Sequence, residues 1–160
     1  MLNSSSKPIH VLAVEDNAAD RSLLTRFFKN SDLPHELHFS RDGEEAMDYL
    51  FQRGPFASVS RPDLVLLDLN MPKRDGREVL KEIKCHPNLR TIPVVVLTTS
   101  SSDTDVNCAY EYQANSYIQK PRDLVHFQKT IEAILTYWLS TVELPRTIST
   151  SLRAKLPEAS

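Results

Sequence analysis

Continuous apolar runs alternate with helix-period segments along the 160 residues of this chain. "IHVLAV", residues 9–14, reads as a buried strand, and "AADRSLLTRFFKN" after it places Leu23, Leu24, Phe27 and Phe28 on one helical face. "HELHFS" is a weaker, alternating strand, and "DGEEAMDYLF" a short helix with Asp42 near its N-cap. "QRGPFASVSRP" carries Gly54, Pro55 and Pro62 and reads as a loop. "LVLL", residues 64–67, is a strand buried on both faces that stops at Asp68, followed by a helix from about Gly76 to Lys84. The loop "CHPNLRTIP" leads into the buried strand "VVVLTTSS", the modest helix "DTDVNCAYEYQ" and the short strand "NSYIQ". A long last helix runs from Pro121 to about Leu139, with Leu124, Phe127, Ile131, Ile134, Leu135, Trp138 and Leu139 as its apolar set.

Strands alternating with helices predict an α/β fold: a doubly wound five-stranded parallel sheet with helices on both faces. Ligands of such sheets bind beyond the carboxyl ends of the strands. The residues that finish the strands therefore matter most. They are Glu15 and Asp16, then Asp68, then Thr98 with Thr99 beyond it, then Lys120.

A lone aspartate at a strand end is ordinarily a cap or turn residue. Three carboxylates brought to one edge would repel unless they took up protons or gathered a cation. Oxygen donors without a Cys pair or an HxxxH helix favour Mg²⁺ over zinc, leaving a coordination position for a phosphoryl oxygen. A carboxylate beside Mg²⁺ and a lysine is what an aspartyl-phosphate site requires. Asp68 is placed to be phosphorylated, with Thr98 able to donate a hydrogen bond to the same group.

These residues lead to a family. "VED", "LLDLNMPKRDG", "VVVLTT" and "YIQKP" follow one another, with Asp68 and Thr98 30 residues apart and Thr98 and Lys120 22 apart. In this the chain resembles the receiver domain of bacterial response regulators, over residues 8–141. The resemblance implies a flavodoxin-like, CheY-like fold and a two-component phosphorelay. Asp68 is implied as phosphoacceptor, Asp16 as a direct Mg²⁺ ligand, Glu15 as a ligand through water, and the Asn70 backbone carbonyl as a third protein oxygen. Lys120 is implied to pair with Asp68 or its phosphate, through a cis bond to Pro121, and Thr98 and Tyr117 are implied as a switch pair. Glu15 stands where the family also frequently has Asp. Asn70 and Ser100 occupy positions that tune phosphoryl lifetime in the family.

The loop over residues 52–62 and "NMPKRDG" look most like the small regulators that pair with cyanobacterial and other bacterial phytochromes. This implies a phytochrome histidine kinase as phosphodonor, docking on the first helix at Arg21, Leu24 and Thr25. Signal output is expected by protein contact through helix 4, strand 5 and helix 5, including Tyr110, Tyr112 and Val125, with a homodimer as the assembly. Residues 1–7 are expected as an N-terminal tail and 142–160 as a C-terminal one. That tail either stays mobile or packs Leu144, Ile148 and Leu152 across a partner.

Composition adds exclusions. With 41% hydrophobic and 25% charged residues, and a formal charge of -2, the chain is an ordinary globule with no basic stripe for nucleic acid. No apolar stretch approaches the roughly 18 residues of a membrane span. "MLNSSSKP" is too polar for a secretory signal, and two cysteines without metal spacing fit a reducing, cytoplasmic setting. The segment after the last helix is too short for a DNA-binding domain. Lys73, Arg74 and Arg77 read as a solvated helix face. His35 and His38, three apart on a strand, face opposite sides and suggest no metal role. Two other readings exist. A haloacid dehalogenase-type phosphatase would need a second acid where Asn70 stands, and a pseudo-receiver scaffold would work without phosphate.

Overall fold

A computed structural model describes residues 7–145. Leu64, Val65, Leu66 and Leu67 form the central strand, β3 (Leu64–Leu67), because side chains that are apolar on both pleats need cover on both. The chain runs β1 (Ile9–Val14), α1 (Ala18–Lys29), β2 (His35–Ser40), α2 (Gly43–Leu50), β3, α3 (Gly76–Cys85), β4 (Val94–Thr98), α4 (Asp103–Glu111), β5 (Ser116–Gln119) and α5 (Leu124–Thr136). All five strands are parallel in the order β2-β1-β3-β4-β5. The doubly wound sheet expected from the alternation is the one observed.

The pleat of β1 divides the core. Val11 and Ala13 join Leu24, Phe27 and Phe28 of α1 and Phe127, Ile131 and Ile134 of α5. Leu12 and Val14 face the opposite way, toward Ala46, Met47, Val79, Leu80, Ile83 and Ala109 of α2, α3 and α4. Phe27 and Phe127 meet edge to face, with centroids 5.7 Å apart, locking α1 to α5.

Every helix opens on a side chain that accepts a hydrogen bond from a first-turn N–H. Asn17 accepts from Asp20, Asp42 from Glu45, Asp75 from Arg77, Ser102 from Asp105 and Asp123 from His126. Each cap fixes where its strand-to-helix loop ends, and so where the residues at the carboxyl edge lie.

Several expectations change. α5 ends at Thr136 and continues into a wider π-helical turn, Tyr137–Thr141. Leu124 at its start is 49% exposed instead of joining the apolar stripe, and lines the cleft beside Lys120 and Pro121. The 52–62 loop contains a 3-10 turn, Gly54–Phe56, and Phe56 and Val59 pack against the core. Lys73 and Arg74 precede α3 instead of lying on it, and they pair with Asp42 and Glu82. Residues 1–6 and 146–160, including Ile148 and Leu152, lie outside the described residues.

Candidate functional site

The order β2-β1-β3-β4-β5 brings the ends of β1, β3, β4 and β5 to one edge. Leu67 sits opposite both Val14 and Val96, and Thr98 opposite Gln119, so Glu15, Asp16, Asp68, Thr98 and Lys120 all finish neighbouring strands. Ligand oxygens of Glu15, Asp16 and Asp68 lie within 4.8 Å of one another. Glu15 and Asp68 are buried, while Asp16 faces solvent. This donor set suits a hard divalent cation.

Lys120 is the cation already at the cluster. Its Nζ donates to Glu15 Oε2, to Asp20 Oδ2 at 3.0 Å and to Asp68 Oδ2 at 3.3 Å. The other oxygen of Asp68 accepts from the Asn70 N–H at 3.2 Å. Oε1 of Glu15 accepts from the Asn17 N–H at 3.1 Å. Three carboxylates facing one ammonium, with Asp16 beside them, leave an excess of negative charge. Burial pushes the Glu15 carboxyl up to about 7, with Lys120 offsetting part of that and Asp68 adding to it. Burial alone would lower the Lys120 ammonium's pKa, but Glu15, Asp68 and Asp20 outweigh it and hold it well above its ordinary value.

Thr98 is fully buried, and its hydroxyl has no hydrogen-bond partner among the described residues. A buried hydroxyl without a partner is costly, and an incoming phosphoryl oxygen at this edge would satisfy it. Tyr117 is half-buried and its phenol donates to the Ser100 carbonyl at 2.8 Å, with burial raising the phenol's pKa. Beside the cluster a cleft of about 490 Å³ is lined by Asp20, Thr99, Lys120, Pro121 and Arg122, among others.

One site expectation is corrected. The bond from Lys120 to Pro121 is trans, as no peptide among the described residues is cis. Before proline the two isomers differ little in energy and trans is the lower; in this geometry Lys120 already reaches all three carboxylates. Arg77 is not a solvated residue. It binds Asp75 and, from Nε at 2.9 Å, Asp105, whose carboxylate also accepts from the Ser100 hydroxyl at 2.5 Å. Leu24 is 1% exposed, which removes it from any docking surface, while Tyr112 is partly buried against the core.

Sequence reasoning missed three contributors. Asp20 is a full partner of Lys120, in the first turn of α1. Arg21 donates to the carbonyls of Glu15 at 3.0 Å and Asp16 at 2.8 Å, holding the β1–α1 loop from the helix. Gly76 abuts the backbone of Asp68 so closely that an added Cβ would stand 2.2 Å from its carbonyl oxygen. A glycine opening a helix just after a strand-end acid was the available signal for that close approach.

The site and the sheet order are those of a receiver domain, and the chain belongs to the response regulator receiver domain family, whose profile matches residues 11–132. It is 48% identical to the response regulator Rcp1 of Synechocystis sp. over 145 residues, which cover 91% of this chain and 99% of that protein. The crystal structure of the Mn(2+)-bound form of Rcp1 is 49% identical with a TM-score of 0.84, covering 87% of this chain and 100% of that one. The phosphorylated cyanobacterial phytochrome response regulator RcpA matches equally well, at 49% identity and a TM-score of 0.84, covering 87% of this chain and 99% of that one. Among the described residues no helix is long and apolar enough to cross a membrane.

Proposed function

We propose that this chain is the response regulator of a phytochrome-type two-component system, accepting a phosphoryl group on Asp68 from a histidine kinase. The observation that carries the reading is Asp68 itself. It is buried at the sheet's carboxyl edge, within ligand reach of Glu15 and Asp16 and 3.3 Å from the Lys120 ammonium. Glu15, Asp16 and Asp68, with the backbone carbonyl of Asn70, would hold Mg²⁺, whose charge offsets that of the phosphoryl oxygens. The acidic cluster supports a divalent cation, and the Mn(2+)-bound form of Rcp1 shows that a relative accepts one.

A carboxylate oxygen of Asp68 attacks phosphorus in line with the departing imidazole of the donor histidine. The O–P bond forms as the N–P bond breaks. Lys120 stays charged throughout, which its raised pKa favours, and neutralises one phosphoryl oxygen. Thr98 gives its unused hydroxyl hydrogen to another. Tyr117 then moves with the β4–α4 loop, to which its phenol is tied at the Ser100 carbonyl. The phytochrome pairing rests on the relatedness to Rcp1 and RcpA. The protein catalyses only its own phosphorylation and dephosphorylation, and works in the cytoplasm.

Output proceeds by protein contact. Tyr110 on α4 (49% exposed), Val125 on α5 (62%) and Tyr137 just after α5 (52%) are exposed large apolar side chains, which supports a homodimer built on the α4–β5–α5 face. Residues 8–141 are the receiver in this reading.

The test is incubation with acetyl phosphate, with and without Mg²⁺, for the native chain and for Asp68→Asn. Base-labile phosphate requiring both Mg²⁺ and Asp68 is expected. No phosphate in any arm would overturn the reading and leave a scaffold. Transfer from an autophosphorylated phytochrome kinase, faster than from a kinase of another sensor class, checks the pairing.

A further inference from the structure

The far end of β1 holds a second group of ligand-bearing side chains. His10 lies directly opposite Glu36 in the β1–β2 register, and His38 stands two residues further along β2. Side chains two apart on a strand share a face, so all three project toward α2. His10 Nδ1 is 3.3 Å from Glu36 Oε2, and His38 Nε2 is 3.5 Å from the same oxygen. One ligand atom from each residue falls within 4.8 Å of the others.

We propose that His10, Glu36 and His38 form a binding site for a borderline divalent cation of the zinc class, separate from the acidic cluster. Two imidazole nitrogens and one carboxylate oxygen are a zinc donor set, and a poor one for Mg²⁺. The Nδ1 atom of His10 is buried, and despite its closeness to Glu36 it has no hydrogen-bond partner among the described residues. Its approach to the carboxylate is off-axis for a hydrogen bond, leaving that nitrogen unsatisfied.

The ligands are held in place. The His10 N–H donates to Asp63 Oδ2 at 2.9 Å, anchoring the start of β1. The rings of His10 and His38 are nearly parallel, 18° apart with centroids separated by 6.1 Å. The His38 ring also rests on Tyr49 of α2 at 5.9 Å. The side chains of His38 and Glu36 are 39% and 50% exposed, so water can complete the coordination shell and the ion can enter without unfolding. Glu15 follows His10 by five positions, about 17 Å of extended chain. An ion bound here would cross-link the edge strand β2 to β1 and leave the phosphoacceptor untouched.

The experiment is calorimetric titration of Zn²⁺ into the untagged, chelator-treated full chain, with millimolar Mg²⁺ present to occupy the acidic cluster. Co²⁺ substitution provides a visible absorption band as a second readout. One equivalent of Zn²⁺ is expected, weakened about tenfold or more in both His10→Gln and His38→Gln. His126→Gln and Asp68→Asn are expected to bind as the native chain does. His38 is partly exposed, so His38→Gln remains informative if His10→Gln fails to fold. No binding, binding unchanged in His38→Gln, or binding lost in Asp68→Asn would each overturn the proposal. The first two would reduce the group to an ordinary imidazole–carboxylate contact.

Discussion

The two ends of β1 carry different chemistry on the same strand. At the carboxyl end, Glu15 and Asp16 join Asp68 in an all-oxygen group with a buried ammonium inside it. At the amino end, His10 joins Glu36 and His38 in a mixed nitrogen and oxygen group that is half open to water. The carboxyl end draws on the ends of four strands and the start of α1, so its excess charge is concentrated where the sheet's topology leaves a crevice. The amino end draws on two neighbouring strands, and its geometry follows from one register. Charge accumulates where the fold switches direction; local pairing makes the smaller site.

The largest expected effect separates the two ends through their cations. Lys120→Met leaves Glu15, Asp20 and Asp68 without their shared ammonium. In chelator the variant is expected to lose about 3 kcal/mol in urea unfolding, because an uncompensated buried charge remains. Mg²⁺ should recover part of that loss, and Zn²⁺ binding at the amino end should be unchanged. A variant as stable as the native chain in chelator would show that the acids carry no net unbalanced charge.

Gly76→Ala comes next. Its Cβ would press on the Asp68 carbonyl and the Leu69 backbone, neither of which can rotate away. About 1–3 kcal/mol of destabilisation is expected from overpacking, together with weaker Mg²⁺ binding measured by fluorescence titration.

Asp42 tests whether a cap at the carboxyl edge acts locally. The Glu45 N–H, opposed by burial and helped by Lys73, holds its carboxyl below the ordinary 3.8. A depressed folded pKa means that the contribution is complete above 3.8 and lost as pH falls through the lower folded value. Asp42→Ala should cost about 1 kcal/mol at neutral pH. Asp42→Asn should keep most of the cap while flattening the acid limb of the stability curve. An unchanged acid limb in Asp42→Asn would assign that limb to other carboxylates.

The smallest expected effect is at the amino end. Without added metal, His38→Gln should alter stability by no more than about 0.5 kcal/mol, and Mg²⁺-dependent phosphorylation not at all. A loss of phosphorylation there would break the separation between the two ends and couple them through β1.

Much of the carboxyl edge was legible because strand ends are local features. "VED", "LVLLD", "VVVLT" and "YIQK" each show an apolar run stopping at a polar residue, and a parallel sheet must gather such stops on one side. The side chains that complete the cluster or brace the loops beside it were not legible. Asp20 looks like any acidic residue in a first helical turn, and Arg77 like any exposed base, until Lys120 and Asp105 are found beside them. His35 and His38 invited comparison as sequence neighbours, yet the partner of His38 is His10, on another strand.

By itself the sequence determined the alternation of strands and helices, the Asp42 cap that starts α2 and the acids that end β1 and β3. Burial periodicity and capping act over a few residues, so they can be read without knowing what lies across the sheet. Tertiary structure decided which distant groups share an atom's neighbourhood. Lys120 meets Glu15 and Asp68 across 105 and 52 residues of chain, its bond to Pro121 stays trans, and His10 meets His38 through strand pairing. Those outcomes depend on strand order and register, which many distant contacts choose together and no short stretch of sequence encodes.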